Sequence, residues 1–395
     1  MSLKENMMEE NKKVVYLDSA NATYVNREVL QEMMPAFNSF YGNPDNAYSV
    51  GRIAKELVHT AKNRIANAIS AEAKEIYFTS GVVEANNWAI LGLARANKNK
   101  GNHIVTSKIE DKSILMACAQ LEKEGFEITY IDCDDNGVVS LAKLMGAIKQ
   151  NTILVSINVA NNEVGTIQNL NAIARTVKEK DIIFHCDATC ALGSIPLDVK
   201  AIPIDAMTLA SDNIYGPKGV AGLYVRKTVK IDSFLMGEGG KRPDHANVPA
   251  IVGFGKAVEL ATKDIMVISH KTKIVRDYLF RNIKEKIENV SLNGHQFQRI
   301  ASNLNITIDC VDAESLVYML DAEGICASAP GTRLEPSHTL KAMKKTPEQI
   351  FSSVRFTVAR NVSKADIDYV VEKLVTIVKK LREVSPLRKS TKEAK

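Results

Sequence analysis

Short apolar segments alternate with longer amphipathic ones along this chain, and that alternation limits the folds it can adopt. Four segments have the composition of buried strands: HIVTS (103–107), ITYIDC (128–133), TILVSIN (152–158) and DIIFHCD (181–187). Helical patterns lie between them. Parallel strands need long crossover connections, which are usually helices, so this alternation is typical of a parallel sheet covered by helices. The sequence therefore predicts an α/β fold.

One predicted helix shows its buried face clearly. Within RIAKELVHTAKNRIANAIS (52–70), apolar residues recur every four positions, at Ile53, Leu57, Ala61, Ile65 and Ile69. This spacing places the five side chains on one side of a helix, where they can pack against the rest of the protein. We expect a single buried stripe from Ile53 to Ile69.

The pattern also suggests a division into domains. Residues 250–290 are mainly helical in pattern and would lead into a smaller domain. We expect a large α/β domain over 14–255 and a small α+β domain over 256–385, which residues 1–30 would join. The last ten residues, PLRKSTKEAK (386–395), form a basic tail, which is more typical of a solvated chain end than of a nucleic-acid-binding arm.

Composition excludes several function classes. The chain has 395 residues, of which 45% are hydrophobic, and a formal net charge of +5. This small charge gives no reason to expect nucleic-acid binding. No apolar run is long enough to span a bilayer, and the first residues, MSLKENMMEENKK, have no signal-peptide core. Six cysteines in so long a chain do not make a disulfide framework. We expect a cytoplasmic protein with reduced thiols and no membrane partner.

Ordered motifs along nearly the whole chain point to one family. They include YLDSANATYV (16–25), TSGVVEANN (79–87), ANNEVGTIQ (160–168) and VRFTVAR (354–360). In order and spacing they resemble the cysteine desulfurases of the class V aminotransferase group, the NifS/IscS type. The resemblance implies the fold-type I architecture of pyridoxal-phosphate (PLP) enzymes, with a seven-stranded sheet, a homodimer, and a lysine that forms a Schiff base with PLP.

The segment LASDNIYGPKG (209–219) covers the position of that lysine. The family pattern there is serine, any residue, histidine and lysine, followed two residues later by GPKG. This chain has Ala210, Asp212 and Asn213 at the serine, histidine and lysine positions, and Lys218 belongs to GPKG itself. An asparagine has no amine that can add to the cofactor aldehyde. The resemblance therefore predicts that Asn213 occupies the lysine position without its chemistry.

Other positions that the resemblance assigns to the cofactor differ as well. Val83 stands where the family has a phosphate-binding threonine, Asp111 where a histidine stacks on the ring, and Cys190 where a glutamine contacts the ring hydroxyl. The segment MGEGGKRPDHANVP (236–249) is also shortened. Three other positions keep the family residue: Asp187, which would pair with the ring nitrogen, Asn161 and Asn162. For these three a structural role in turns and strand ends is an open alternative.

The positions that the resemblance assigns to the substrate differ in part from the family pattern. Between Ala327 and Leu334 the chain lacks the loop cysteine that accepts sulfur in the family, and Cys326 is better explained as a buried strand thiol. Arg355 matches the arginine that clamps a substrate carboxylate, although a structural ion pair would explain it equally well.

We expect from these differences a non-catalytic member of the family that binds no cofactor. It would be related to sulfur mobilisation and iron–sulfur cluster assembly and would act by binding a partner, either an iron–sulfur scaffold protein or an active desulfurase paralogue. The alternative is a PLP-dependent enzyme with altered chemistry or non-covalent PLP. A metal held by Asp111, Asp187, Cys190 and Asp212 is a further alternative, but their spacing matches no recognised metal motif, and acids that are solvated or hydrogen-bonded to one another are favoured.

Overall fold

The computed structural model of the protein describes residues 14–236 and 247–385. The strands in these residues are β1 (Val15–Tyr16), β2 (Ile76–Thr79), β3 (His103–Ser107), β4 (Glu127–Ile131), β5 (Thr152–Ser156), β6 (Ile183–Asp187), β7 (Ala206–Ala210), β8 (Ala221–Val225), β9 (Val290–Asn293), β10 (Asn303–Ile308), β11 (Ile325–Cys326) and β12 (Ser353–Thr357). The α-helices are α1 (Arg27–Asn38), α2 (Ser49–Ala68), α3 (Val82–Asn87), α4 (Leu93–Ala96), α5 (Lys112–Lys123), α6 (Leu141–Ala147), α7 (Leu170–Lys178), α8 (Val248–Thr262), α9 (Ile265–Lys286), α10 (Ala313–Ala322), α11 (His338–Ala342), α12 (Pro347–Phe351) and α13 (Lys364–Val384). A π-helical turn, Trp88–Gly92, joins α3 to α4.

Seven strands form the central sheet, in the order β2-β8-β7-β6-β5-β3-β4. The pairs from β7 to β4 are parallel, whereas β8 runs antiparallel to both β7 and β2. Every residue of β3, β5, β7 and β8 is buried, as expected for strands that are covered by helices on both faces. The four strands predicted from apolar segments are confirmed, and three of them are shorter in the structure than the apolar segments.

A second, smaller sheet lies towards the C-terminal end of the chain. It has the antiparallel order β12-β10-β9 and shares a hydrophobic core with α9, α10 and α13. The short strand β1 pairs in parallel with β11, which ties the start of the described chain to this part of the molecule. The fold class is confirmed: a large, mainly parallel α/β sheet accompanied by a smaller α+β unit. The domain boundaries remain a prediction, and the predicted basic tail lies outside the described residues.

Helix α2 shows where the predicted stripe fails. Ala61, Ile65 and Ile69 are buried, but Ile53 is 40% exposed, so the stripe is wrong at its first turn. There the buried position belongs to Ala54, which packs with Val248 and Val252 of α8. Farther along, α8 approaches α2 closely at Gly255, where an added Cβ would lie 2.6 Å from the Cα of Ala61.

The helices of the described residues include none that is both long and apolar enough to cross a membrane.

Candidate active site

The carboxyl ends of β3, β5, β6 and β7 meet at one edge of the sheet, because these strands are parallel neighbours. Asp187 ends β6, and the turns that follow β3, β5 and β7 carry Asp111, Asn161 and Asn213. Ligands of open α/β folds bind at this edge, where strands end and helices begin. The topology therefore brings the positions that the family resemblance singles out to one place.

Asp187, the last residue of β6, lies at the centre of this edge. Its side chain is buried, with Oδ2 accepting a hydrogen bond from Asn86 Nδ2 at 3.0 Å and Oδ1 accepting one from the Thr189 amide at 2.9 Å. Burial raises the pKa of the Asp187 carboxyl, and repulsion from Asp111 adds to the shift. The same Asn86 amide also donates to the Ser113 hydroxyl at 3.0 Å.

Asp111 is the N-cap residue of α5. Its Oδ1 accepts a hydrogen bond from the Ser113 amide at 2.8 Å and another from the Ser113 hydroxyl. A hydrogen-bonded chain thus runs from Asp111 through Ser113 and Asn86 to Asp187. The Asp111 carboxylate, which stands at the family's ring-stacking position, therefore caps α5. Aspartate is a preferred N-cap residue, so its place just before the predicted helix could have suggested this role.

Asn213 lies in a short 3₁₀ turn between β7 and β8, half-buried, with Nδ2 donating to the Thr189 carbonyl at 3.4 Å. Lys218 does not replace the missing amine, since its Nζ donates to the Thr23 carbonyl at 3.0 Å and the residue is exposed. Burial raises the pKa of Asp212, whose backbone carbonyl accepts bonds from the Thr23 amide and hydroxyl.

Two side chains at the predicted cofactor positions have different surroundings. Val83 is on the first turn of α3 and is 65% exposed. Cys190 is half-buried and lines a cavity of about 50 Å³ together with Asn161, Asn162 and Asn213. Burial raises the pKa of the Cys190 thiol to about 12, so this thiol is neutral at physiological pH.

The two asparagines kept from the family motif differ in their roles. Asn161 donates through Nδ2 to the Ile109 carbonyl at 2.9 Å and accepts from the Glu163 and Val164 amides, which fixes the turn after β5. Asn162 is exposed, and its backbone carbonyl accepts a hydrogen bond from Arg355 Nη1 at 3.2 Å.

Arg355, in β12, is buried and forms an ion pair with Asp18, with Nη2 3.2 Å from Oδ1. It is absent from the described linings of the cavities beside Asn213. The ion pair that the sequence left open as an alternative is present, and the role of Arg355 towards a substrate carboxylate stays a prediction.

Two ion pairs connect the segment that follows β11 to the starts of neighbouring helices. Lys112 Nζ lies 2.9 Å from Glu335 Oε2, and Arg333 Nη2 lies 3.1 Å from Asp312 Oδ1. Cys326 is half-buried in β11, and burial raises the pKa of its thiol. Part of the shortened segment 236–249 lies outside the described residues. Within the described residues, Asp111, Asp187, Cys190 and Asp212 form no cluster suited to a metal ion.

Comparison with known proteins identifies the family. The model of the class V aminotransferases matches residues 15–370. This chain belongs to that family. A cysteine desulfurase IscS of Methanosarcina thermophila is 45% identical over 390 residues, covering 97% of this chain and 96% of the relative. A cysteine desulfurase IscS of Clostridium botulinum strain Hall is 43% identical over 95% of this chain and 97% of its own length.

Solved structures agree with the sequence relatives. A NifS-like protein superposes with a TM-score of 0.88 at 29% identity, over 93% of this chain and all of the other. A NifS-like protein from Rickettsia africae gives a TM-score of 0.85 at 28% identity, again over 93% of this chain. These matches confirm the architecture expected from the motifs.

The comparisons also overturn two predictions. The expectation of a non-catalytic protein that acts by binding a partner is wrong, because the full-length relatives are cysteine desulfurases and give no sign of a non-catalytic member. The expectation of no cofactor is also wrong, since it conflicts with a PLP-dependent family. Both rested on the replaced lysine together with the altered cofactor positions and the missing loop cysteine, whereas a pocket can hold a ligand through hydrogen bonds, charge and burial alone.

The residues of the site fit PLP in part. The buried Asp187 carboxylate is the kind of group that pairs with a pyridinium nitrogen, and the turn before α3 opens a helix at the same edge. Asn213, in contrast, offers an amide and no amine, so the covalent anchor does not fit.

Proposed function

We propose that this protein takes part in sulfur mobilisation for iron–sulfur cluster assembly, and that it binds PLP without a covalent bond from the chain. The observation that carries the proposal is the match to cysteine desulfurases at 45% identity over 97% of the chain. When bound, PLP supplies the electron-withdrawing ring on which this family's chemistry depends. The amine that would hold it in the family has no counterpart at Asn213.

The chain's own residues would hold the cofactor through charge. Asp187 is buried, and burial and the nearby Asp111 carboxylate both raise its pKa. A positively charged ring nitrogen would oppose both effects and favour the ionised carboxylate. Asn86 and the Thr189 amide fix the orientation of the carboxylate.

A retention experiment tests the cofactor proposal. The full chain is incubated with PLP, passed through a desalting column, and the bound cofactor is released in alkali and measured by absorbance. We expect retained PLP in the wild type, no adduct fixed by borohydride, and loss of retention in Asp187→Ala. Asp205→Ala is the control, since Asp205 is also a buried carboxylate but bonds the Phe184 amide between β6 and β7. A wild type that retains no PLP would contradict the proposal.

A second assay tests sulfur mobilisation. Sulfide released from L-cysteine in the presence of a thiol reductant and PLP is compared between the wild type and Asn213→Lys. We expect release by the wild type and faster release by the lysine variant, because a positioned acid–base group typically contributes about 10²–10⁴-fold. Release that does not exceed a blank without protein in either variant would refute the assignment.

We also propose that the chain forms a homodimer. Leu30, Met34 and Phe37 lie one and two turns apart on α1 and are 47%, 49% and 59% exposed, and Tyr41, close by in sequence, is 71% exposed. Large apolar residues in such number mark an interaction surface. We expect Met34→Asp to yield monomers in light scattering, whereas Met116→Asp, at a methionine 69% exposed on α5, should not. A scaffold protein or a second desulfurase as partner remains a prediction.

A further inference from the structure

A short segment links the end of β11 to the N-cap residue of α11, and we call these residues, 327–337, the strap. The strap folds back on itself, because at Gly331 an added Cβ would lie only 2.5 Å from the Ser337 amide nitrogen. At its start, the backbones of Ser328 and Arg355 exchange two hydrogen bonds, of 2.8 and 3.2 Å. The strap is therefore attached to the small sheet through β12.

The far end of the strap contacts the edge of the central sheet. Ser337 Oγ donates a hydrogen bond to Glu163 Oε1, and Lys112 Nζ lies 2.9 Å from Glu335 Oε2. Glu163 and Lys112 each directly follow a candidate site residue in the sequence. The Lys112–Glu335 pair is exposed, and such pairs contribute little to stability, whereas Ser337 is buried. The Glu163–Ser337 contact is thus the one that matters most for holding this end.

The surroundings of the Glu163 carboxyl oppose one another. Arg355 from β12 and Lys112 from the start of α5 act on it with positive charge, and Ser337 donates to it from the start of α11. Burial outweighs these three and raises the pKa of the carboxyl from 4.5 to about 7. The closed arrangement therefore holds a proton on Glu163 more tightly than water would.

Other titratable groups near this contact have partners of their own. Asp18 pairs with Arg355, Glu335 pairs with Lys112, and His338 Nε2 lies 2.8 Å from the Glu110 carbonyl oxygen. None of these partners is the Glu163 carboxyl, so its charge is the one that a change at the latch itself would alter.

We propose that the Glu163–Ser337 contact is a proton-dependent latch, which keeps the strap closed while Glu163 is neutral and lets it open when Glu163 is ionised. In the open state the carboxyl reaches water, and its pKa returns towards 4.5. Closure is then fully favoured below pH 4.5 and loses this advantage as pH rises through about 7. Because the strap contacts turns that carry candidate site residues, its opening frees one side of the site. The latch rests on these contacts and does not depend on the proposed function.

Hydrogen exchange followed by mass spectrometry measures the opening of the strap. The full chain as purified is exchanged at about pH 5.5 and about pH 8, and each rate is corrected for intrinsic exchange to give a protection factor. Peptides from β5 serve as the internal reference. We expect protection of 327–337 to fall by about tenfold or more at the higher pH in the wild type, because ionisation of Glu163 favours the open state.

Glu163→Gln has the size of a protonated glutamate and cannot ionise, so its strap should stay protected at both pH values. Glu163→Asp keeps a titratable carboxyl and should keep a fall in protection with pH. Glu110→Gln is the matched control, because Glu110 is also a buried carboxyl with a raised pKa and its backbone carbonyl contacts His338, next to the latch. This control should follow the wild type.

Four results would overturn the latch. They are equal protection of the wild-type strap at both pH values, a loss of protection in Glu163→Gln that matches the wild type, loss of the pH dependence in Glu110→Gln, and a fall in the protection of β5 as large as that of the strap. The last result would assign the change to unfolding of the whole protein.

Discussion

Replacing Asp18 with asparagine tests how the buried arginine of the site is held. The change keeps the shape of the side chain and removes its charge, so Arg355 loses its ion pair. Removing one partner of a buried pair costs about 3–5 kcal/mol, because the remaining charge is left uncompensated. The side chains of Arg355 and Asp18 are 7% and 17% exposed, and Arg355 keeps its hydrogen bond to the Asn162 carbonyl. We therefore expect Asp18→Asn to lower the free energy of unfolding by about 3 kcal/mol, the lower end of this range.

Urea denaturation at pH 7 measures the change in the free energy of unfolding. Arg355→Met and the double variant Asp18→Asn/Arg355→Met complete a double-mutant cycle. We expect it to give a coupling energy between the two residues of at least about 1 kcal/mol. Asp368→Asn is the control, because Asp368 pairs with Lys364 at the same 3.2 Å but on the surface, where such pairs contribute at most about 1 kcal/mol. An Asp18 variant no less stable than this control, or an additive cycle, would refute the reasoning.

Three further changes test other parts of the structure. Asn213→Lys should let borohydride fix PLP on the chain, seen as added mass in intact-protein mass spectrometry, whereas Asn213→Gln should gain none. Burial raises the pKa of Glu110 from 4.5 to about 8, so the folded state keeps its proton longer than the unfolded state and stability falls as pH rises through this window. Glu110→Gln should therefore reduce the loss of stability between about pH 5 and pH 8, and urea curves that shift in parallel with the wild type would contradict this. Gly255→Ala should cost about 1–3 kcal/mol, because the new Cβ would lie 2.6 Å from the Ala61 backbone, while Gly146→Ala, with open space around it, should show no such loss in thermal melting.

Local sequence patterns predict the sheet well because each strand carries its own burial signal. The apolar segments at 103–107 and 181–187 need no knowledge of the rest of the chain to be placed as buried strands. The stripe on α2 fails at Ile53 because the choice between Ile53 and Ala54 depends on where α8 crosses, which is a property of two distant segments. Periodicity alone cannot decide which of two neighbouring apolar residues faces the partner helix.

The site shows the same division between local and distant information. The motifs around Asn213 and Asp187 are continuous stretches of sequence, so their place at the sheet edge could be predicted. The partner of Arg355 was missed, because Asp18 lies 337 residues away in the chain and only the fold brings the two side chains together. A sequence motif shows that an arginine is present and does not show whether it is already paired.

The charge around Asp187 is the reason to expect that a pocket without the lysine still takes the cofactor. Asp187 accepts hydrogen bonds that include those from Asn86 and the Thr189 amide, and a carboxylate has about four acceptor positions. Its burial and the nearby Asp111 carboxylate raise its pKa. A cationic ring nitrogen beside Asp187 would oppose both effects and favour the ionised carboxylate. On this argument the affinity for PLP depends on Asp187 more than on residue 213, so Asp187→Asn should weaken retention more than any substitution of Asn213 by a residue without an amine.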